Sequence, residues 1–184
     1  MNTTLLIVVI AIIVAAAVIA FILLRKRRTA KLRSRFGPEY DRAVTDYGSQ
    51  SRAEKALSHR TERAEHYNIR ALTADEQRKF ADDWRATQAR FVDDPPLAIR
   101  EADHLVSEVM RVRGYPMADF DRRAEDLSVD HPNVVRNYRA AHKIAASQQE
   151  GRVSTEDLRQ AMVYYRDLFD ELLEAQPAGT AGRR

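Results

Sequence analysis

The sequence predicts an all-α chain, with one N-terminal transmembrane helix followed by a soluble multi-helix bundle. Three observations lead there. Leu5 to Leu24 form an unbroken run of 20 apolar residues. Beyond that run, apolar residues recur at three- and four-residue intervals, and no segment shows the period-two alternation between turn signals that a β-hairpin requires. The loops between the periodic segments are short, which favours neighbouring antiparallel helices.

At about 1.5 Å rise per residue, the apolar run reaches roughly 30 Å, the thickness of a bilayer's hydrocarbon core. Residues 5–24 are therefore read as the span and residues 1–4 as a short segment outside it. A cleaved secretory signal is the competing reading. Met1 to Thr4 carries no basic residue, and the run is longer than a typical signal core. Arg25, Lys26, Arg27, Arg28, Lys31, Arg33 and Arg35 follow at once and make residues 25–35 a basic juxtamembrane segment. Such a flank resists translocation, so the N-terminus is expected outside and the rest of the chain in the cytoplasm. The same residues suit a bilayer with anionic headgroups, worth about 1 kcal/mol per basic residue near the surface. Topology determination alone also accounts for them. Ala11 with Ala15, and Ala16 with Ala20, are small residues four apart. They would let two copies of the span approach closely as a homodimer.

Gly37-Pro38 interrupts any continuous helix, and a new one is expected to start at Pro38. Phe36, Tyr40, Val44 and Tyr47 give it an apolar side suited to the membrane interface and, better, to docking on the bundle. Ser51 to His66 is a second helical stretch in which nine of sixteen residues are Arg, Lys, Glu or His, with only Ala53, Ala56, Leu57 and Ala64 as its main apolar content. It reads as a peripheral or bridging helix, and residues 36–72 together as a charged helical connector.

The bundle is placed at residues 73–174. Thr73 with Glu76 forms a capping box before a helix whose Phe80, Trp84 and Phe91 share a face. Asp94 caps the next helix, with Pro95 in its first turn. Leu97, Ala98, Ala102, Leu105, Val106, Val109 and Met110 form its stripe until Gly114 closes it. Tyr115-Pro116 turns into a shorter helix with Met117, Phe120, Ala124 and Leu127 inward. Asp130-His131-Pro132 is expected to start the following one, with Val134, Val135, Tyr138, Ala141, Ile144 and Ala145 on its apolar face and Gly151 at its end. Ser154 to Asp157 caps a last helix with Leu158, Ala161, Met162, Tyr165, Leu168, Phe169, Leu172 and Leu173 as its stripe. Residues 175–184, rich in Ala, Gly and Pro, are expected to be disordered.

Charge narrows the function classes. The formal net charge is +3, but residues 25–35 hold seven of the 30 basic residues and Arg183 and Arg184 two more, while all 27 acidic residues fall between Glu39 and Glu174. The folded part thus sets 21 basic against 27 acidic residues, a net −6. That sign opposes a phosphate backbone, so no nucleic-acid partner is expected. With no cysteine, disulfides, thiolate metal sites and a cysteine nucleophile are excluded.

Phe91-Val92-Asp93-Asp94-Pro95, Arg113-Gly114-Tyr115-Pro116, Asp126 to Pro132 and Thr155-Glu156-Asp157-Leu158-Arg159 resemble a group of bacterial single-pass membrane proteins of uncharacterised activity with a C-terminal helical domain. The resemblance covers most of residues 36 to 173. It implies a bacterial inner-membrane setting and no particular chemistry.

Candidate chemistry rests on histidines. His104 and Glu108 are one turn apart, beside Glu101 and Asp103, as metal ligands on a helix would be, and as ordinary solvated pairs are too. His131 and His142, eleven residues apart on one expected helix, fall on nearly the same face, with Asp130 adjacent. Helix-cap chemistry accounts equally for Asp130 and His131. A glycine-rich phosphate loop, a Gly-x-Ser-x-Gly elbow and a His-Glu-x-x-His helix are all absent. Arg113, Tyr115 and the outward Tyr164 are candidates for a protein-interaction edge, although Tyr115 and Met117 suit a core plug as well. The function expected is a membrane-anchored interaction or scaffolding module with no cofactor and an unspecified protein partner. The alternative is a tethered enzyme or metal-binding domain using His131, His142 or His104.

Overall fold

The computed structural model describes residues 3–148 and 153–174, and among these every regular element is a helix. The eight are α1 (Thr3–Phe36), α2 (Pro38–Tyr47), α3 (Gln50–Ala64), α4 (Ala74–Arg90), α5 (Pro95–Arg113), α6 (Phe120–Asp130), α7 (Val135–Gln148) and α8 (Thr155–Glu174). They fall into two compact units, Met1–Ser58 and His59–Arg184, whose boundary lies within α3. The expected N-terminal residues 1–2, the helix end at Gly151 and the tail 175–184 lie outside the described residues.

In the first unit, the apolar run and the basic segment are one continuous helix. α1 is long and apolar enough to cross a membrane. Its large apolar side chains from Val9 to Leu24 are 45% to 65% exposed. Gly37, at φ 47°, breaks the helix, and Pro38 opens α2 in the first turn, where a missing N–H costs nothing. The small core comprises Leu32, Phe36, Tyr40, Ala43, Ala53 and Leu57. Glu39, Tyr40 and Ala43 are the buried positions of α2, whereas Val44 is half-buried and Tyr47 exposed. α3, thin in apolar residues, nonetheless buries Ala53 and Leu57 completely, along with the carboxylate-bearing Glu54.

The second unit is held by apolar stripes. α8 packs against α5 and α7, and α4 packs against α5. The expected capping box of Thr73 and Glu76 is present. Asp94 accepts from the Leu97 N–H at 3.0 Å. Gly114 closes α5 at φ 97°, where a Cβ would stand 2.6 Å from the Asn68 carbonyl oxygen. Ser154 and Asp157 cap α8 reciprocally. Trp84 stacks on Phe169 at 4.6 Å, joining α4 to α8.

Two expectations need correction here. Met117 is exposed, because α6 begins only at Phe120, capped by Asp119. Asp130 does not start a helix, and His131 leads into one only through its carbonyl, which accepts from the Val135 N–H at 3.2 Å. α6 runs through Asp130, and the His131 N–H donates to the Leu127 carbonyl to end it, leaving α7 to begin at Val135.

Candidate functional site

All seven basic residues of the collar are exposed on α1. Arg25, Arg28, Thr29, Leu32 and Phe36 recur at three and four residues and so share one side of that helix. On this side Arg28 donates to the Ser58 hydroxyl at 3.0 Å, and the Thr29 hydroxyl donates to Glu54 Oε1 at 2.7 Å. The same carboxylate oxygen accepts from the Tyr40 hydroxyl at 2.9 Å and from Gln50 at 2.8 Å. Burial works to raise the Glu54 pKa, but hydrogen bonds from Thr29, Gln50 and Tyr40 outweigh it and hold the carboxyl below its ordinary value. Glu54 is thus an internal tie that fastens α3 to α1 and α2 within the first unit. Elsewhere on the collar, Arg33 pairs with Asp41 at 2.9 Å and lies over the Tyr40 ring.

The histidines are dispersed across the second unit rather than gathered into one site. His104 is exposed on α5, and its expected partner Glu108 is paired instead with Arg111 at 2.6 Å. Among the described residues, no group of three or more His, Asp or Glu is placed to hold a metal ion. His131 is buried between α6 and α7, and its Nδ1 lies 3.1 Å from Glu171 on α8. His142, on α7, has Asp103 of α5 as its neighbour, with Nδ1 3.6 Å from Oδ1. The shared face expected of His131 and His142 does not exist, since only His142 lies on α7.

Around His142 the structure assembles residues that the sequence reading left apart. Its ring stacks on Phe120 at 3.6 Å, and the Tyr165 hydroxyl donates to Asp103 Oδ1 at 2.9 Å. Burial pushes the Asp103 pKa up, but neighbouring His142 and the bond from Tyr165 outweigh it and keep the carboxyl below the ordinary aspartate value. Burial, and then the Asp103 charge, raise the Tyr165 phenol in turn. Arg123 donates to the Ser107 hydroxyl at 2.9 Å beside this cluster. A carboxylate with an imidazole is general-base chemistry in kind. Tyr165 occupies Asp103, and the Phe120 ring lies against that of His142, so the group also serves to join α5, α6, α7 and α8. The i, i+3 and i+4 pattern placed Tyr165 in the α8 stripe but held no signal that its hydroxyl meets Asp103, 62 residues away.

Arg113 and Tyr115 do not present an edge. Arg113 is 1% exposed and donates to the carbonyls of Arg70 at 3.1 Å and Leu172 at 2.9 Å. Leu172 is in the last turn of α8, whose carbonyls lack helical partners, so a buried guanidinium is the donor that turn requires. Burial lowers the Arg113 pKa and raises that of Tyr115, which is enclosed beside it. Of the three edge candidates only Tyr164 keeps partial exposure, packed against the core from outside.

Comparison with known protein families, curated proteins and solved structures gives no match to this chain.

Proposed function

We propose that the chain is a single-pass protein of a bacterial inner membrane, with its N-terminus outside, and that its helical bundle acts at the cytoplasmic face as an interaction or scaffolding module. One observation carries the reading: outward-facing apolar side chains up to Leu24 continue, in the same helix, into seven exposed basic residues. An apolar surface of that length is stable in hydrocarbon and costly in water, and a basic flank favours the cytoplasmic side. Anchoring confines the bundle to a thin layer at the membrane, which raises its effective concentration toward a partner held in the same layer.

The test is in-cell crosslinking of the full-length chain in native membranes, followed by affinity capture and mass spectrometry, beside a version lacking residues 73–174. The expected result is a specific protein crosslinked to the full chain and lost from the truncated one. Recovery of the chain alone, with neither a heterologous protein nor a crosslinked homodimer, would overturn the interaction role.

A further inference from the structure

Within the first unit, α1 and α3 enclose an open groove of about 770 Å³. Phe21 and Leu24 line one part of it; Arg25, Arg28, Ser51 and Lys55 line the rest, with Glu54 also on its wall. Phe21 and Leu24 are among the last residues of the apolar run, and Arg25 and Arg28 among the first of the collar. The groove therefore bridges the level at which acyl chain gives way to headgroup. Three cations face it against one carboxylate, and Glu54 Oε1 is already occupied by Thr29, Tyr40 and Gln50. Among the described residues, neither Arg25 nor Lys55 is engaged in an ion pair, and both are exposed. Lys55 stands thirty residues beyond Arg25, outside the collar, and is brought to this place where Glu54 and Ser58 of α3 are hydrogen-bonded to Thr29 and Arg28 of α1.

We infer that this groove is a binding site for one anionic phospholipid, its headgroup phosphate held by Arg25, Arg28 and Lys55 with the Ser51 hydroxyl, and its acyl chain against Phe21 and Leu24. Apolar and cationic walls in one groove fit an amphiphile with a phosphate at its polar end, and a free phosphate ester would leave Phe21 and Leu24 uncovered. The inference rests on the membrane anchoring proposed above. It differs from diffuse attraction to the collar because it assigns a cation on α3 to the same headgroup as two on α1.

The experiment uses the full-length chain in mild detergent, with phosphatidylglycerol or phosphatidylcholine added and retained lipid counted by native mass spectrometry. One phosphatidylglycerol per chain is expected to be retained in preference to phosphatidylcholine. Lys55→Gln is expected to weaken that retention about fivefold, the effect of one basic residue near an anionic headgroup. Arg27→Gln removes an equal charge at the same level of the collar but outside the groove, and is expected to change retention by less than about twofold on the same scale. Equal losses in the two variants, or no loss with Lys55→Gln, would overturn the site. Displacement of the lipid by soluble glycerol phosphate would overturn the phospholipid as its occupant. Flotation of the same protein with phosphatidylcholine vesicles separates the two levels of the account. A chain that does not float contradicts the membrane anchor, whereas one that floats but retains phosphatidylglycerol and phosphatidylcholine equally in the mass spectrometry contradicts the groove alone.

Discussion

Ile13 on α1 is 62% exposed, whereas Leu168 on α8 is fully enclosed, although both are large aliphatic residues in the middle of long helices. The difference lies in what surrounds each helix. α8 carries charged residues between its apolar ones, so one stripe turns inward and the rest meets water. The apolar part of α1 has no polar side to offer, so its large side chains remain exposed all around the helix, which is long and apolar enough to cross a membrane. The polar ties differ too. In the first unit a buried carboxylate, Glu54, secures a small core; in the second a buried guanidinium, Arg113, finishes the end of a helix beside a large one. Stability of the second unit should therefore respond strongly to apolar truncation, whereas the apolar surface of α1 should be indifferent to it outside the membrane.

The largest expected effect tests that contrast directly. Phe169→Ala removes the ring stacked on Trp84 and should destabilise the second unit by about 3–5 kcal/mol. Ile13→Ala should leave that stability unchanged. Trp84 is the single tryptophan, so its fluorescence during urea unfolding of the full chain in detergent reports on this unit in both variants. Equal shifts in the two would break the comparison. Gly114→Ala should come next, at about 1–3 kcal/mol, because it combines a left-handed backbone with a Cβ 2.6 Å from a backbone oxygen. The same denaturation series measures it.

The alternation of caps and stripes made α4, α5 and α8 legible, since Thr73–Glu76, Asp94, Gly114 and Ser154–Asp157 act on neighbours three or four residues away. What stayed illegible depends on partners far along the chain. Asp130-His131-Pro132 has the composition of a helix start, yet the His131 ring is committed to Glu171, forty residues on, and its backbone N–H ends α6 while its carbonyl accepts from Val135 at the entry to α7. Arg60 and Arg63 read as surface charges on a thinly apolar helix. Glu125 receives both, and Asp126 receives Arg63 at 3.2 Å and the Tyr67 hydroxyl at 2.9 Å, so charged residues fasten the end of α3 that belongs to the second unit. Likewise Arg113 resembled an exposed binding residue because no local pattern announces that the carbonyl of Leu172 needs a donor. His142 was recognised as a candidate but paired with the wrong residue, for the same reason.

Asp103→Asn tests the cluster around His142 and should cost about 1–2 kcal/mol at neutral pH, less than a full hydrogen bond to a charged group, about 1.5–3 kcal/mol, because the amide oxygen still accepts from Tyr165. The folded-state pKa of Asp103 lies below its ordinary value of 3.8, so its contribution is present above that value and is lost as pH falls through the lower folded one. Glu76, held down to about 2 by Arg70 and the Thr73 backbone, gives a slope of the same sign between the ordinary glutamate range and about pH 2. Unfolding curves between pH 5 and pH 2, on the scale of acid titration of carboxylates, should show stability falling with pH, less steeply in Asp103→Asn. A rise toward acid pH would contradict these assignments. Smallest of all, Gly48→Ala should cost about 1 kcal/mol, because φ is positive there but no atom stands in the way of a Cβ. It should be felt in the first unit and leave Trp84 unfolding unaltered.

The central claim, that α1 spans a bacterial inner membrane with the bundle in the cytoplasm, is tested most directly by fusing to the C-terminus of the full chain a fluorescent reporter that matures only in the cytoplasm, then imaging the cells and washing their membranes with alkaline carbonate. A bright fusion retained by the washed membranes is the predicted result. A dark fusion would contradict the orientation, and a bright fusion released into the soluble fraction would contradict the span.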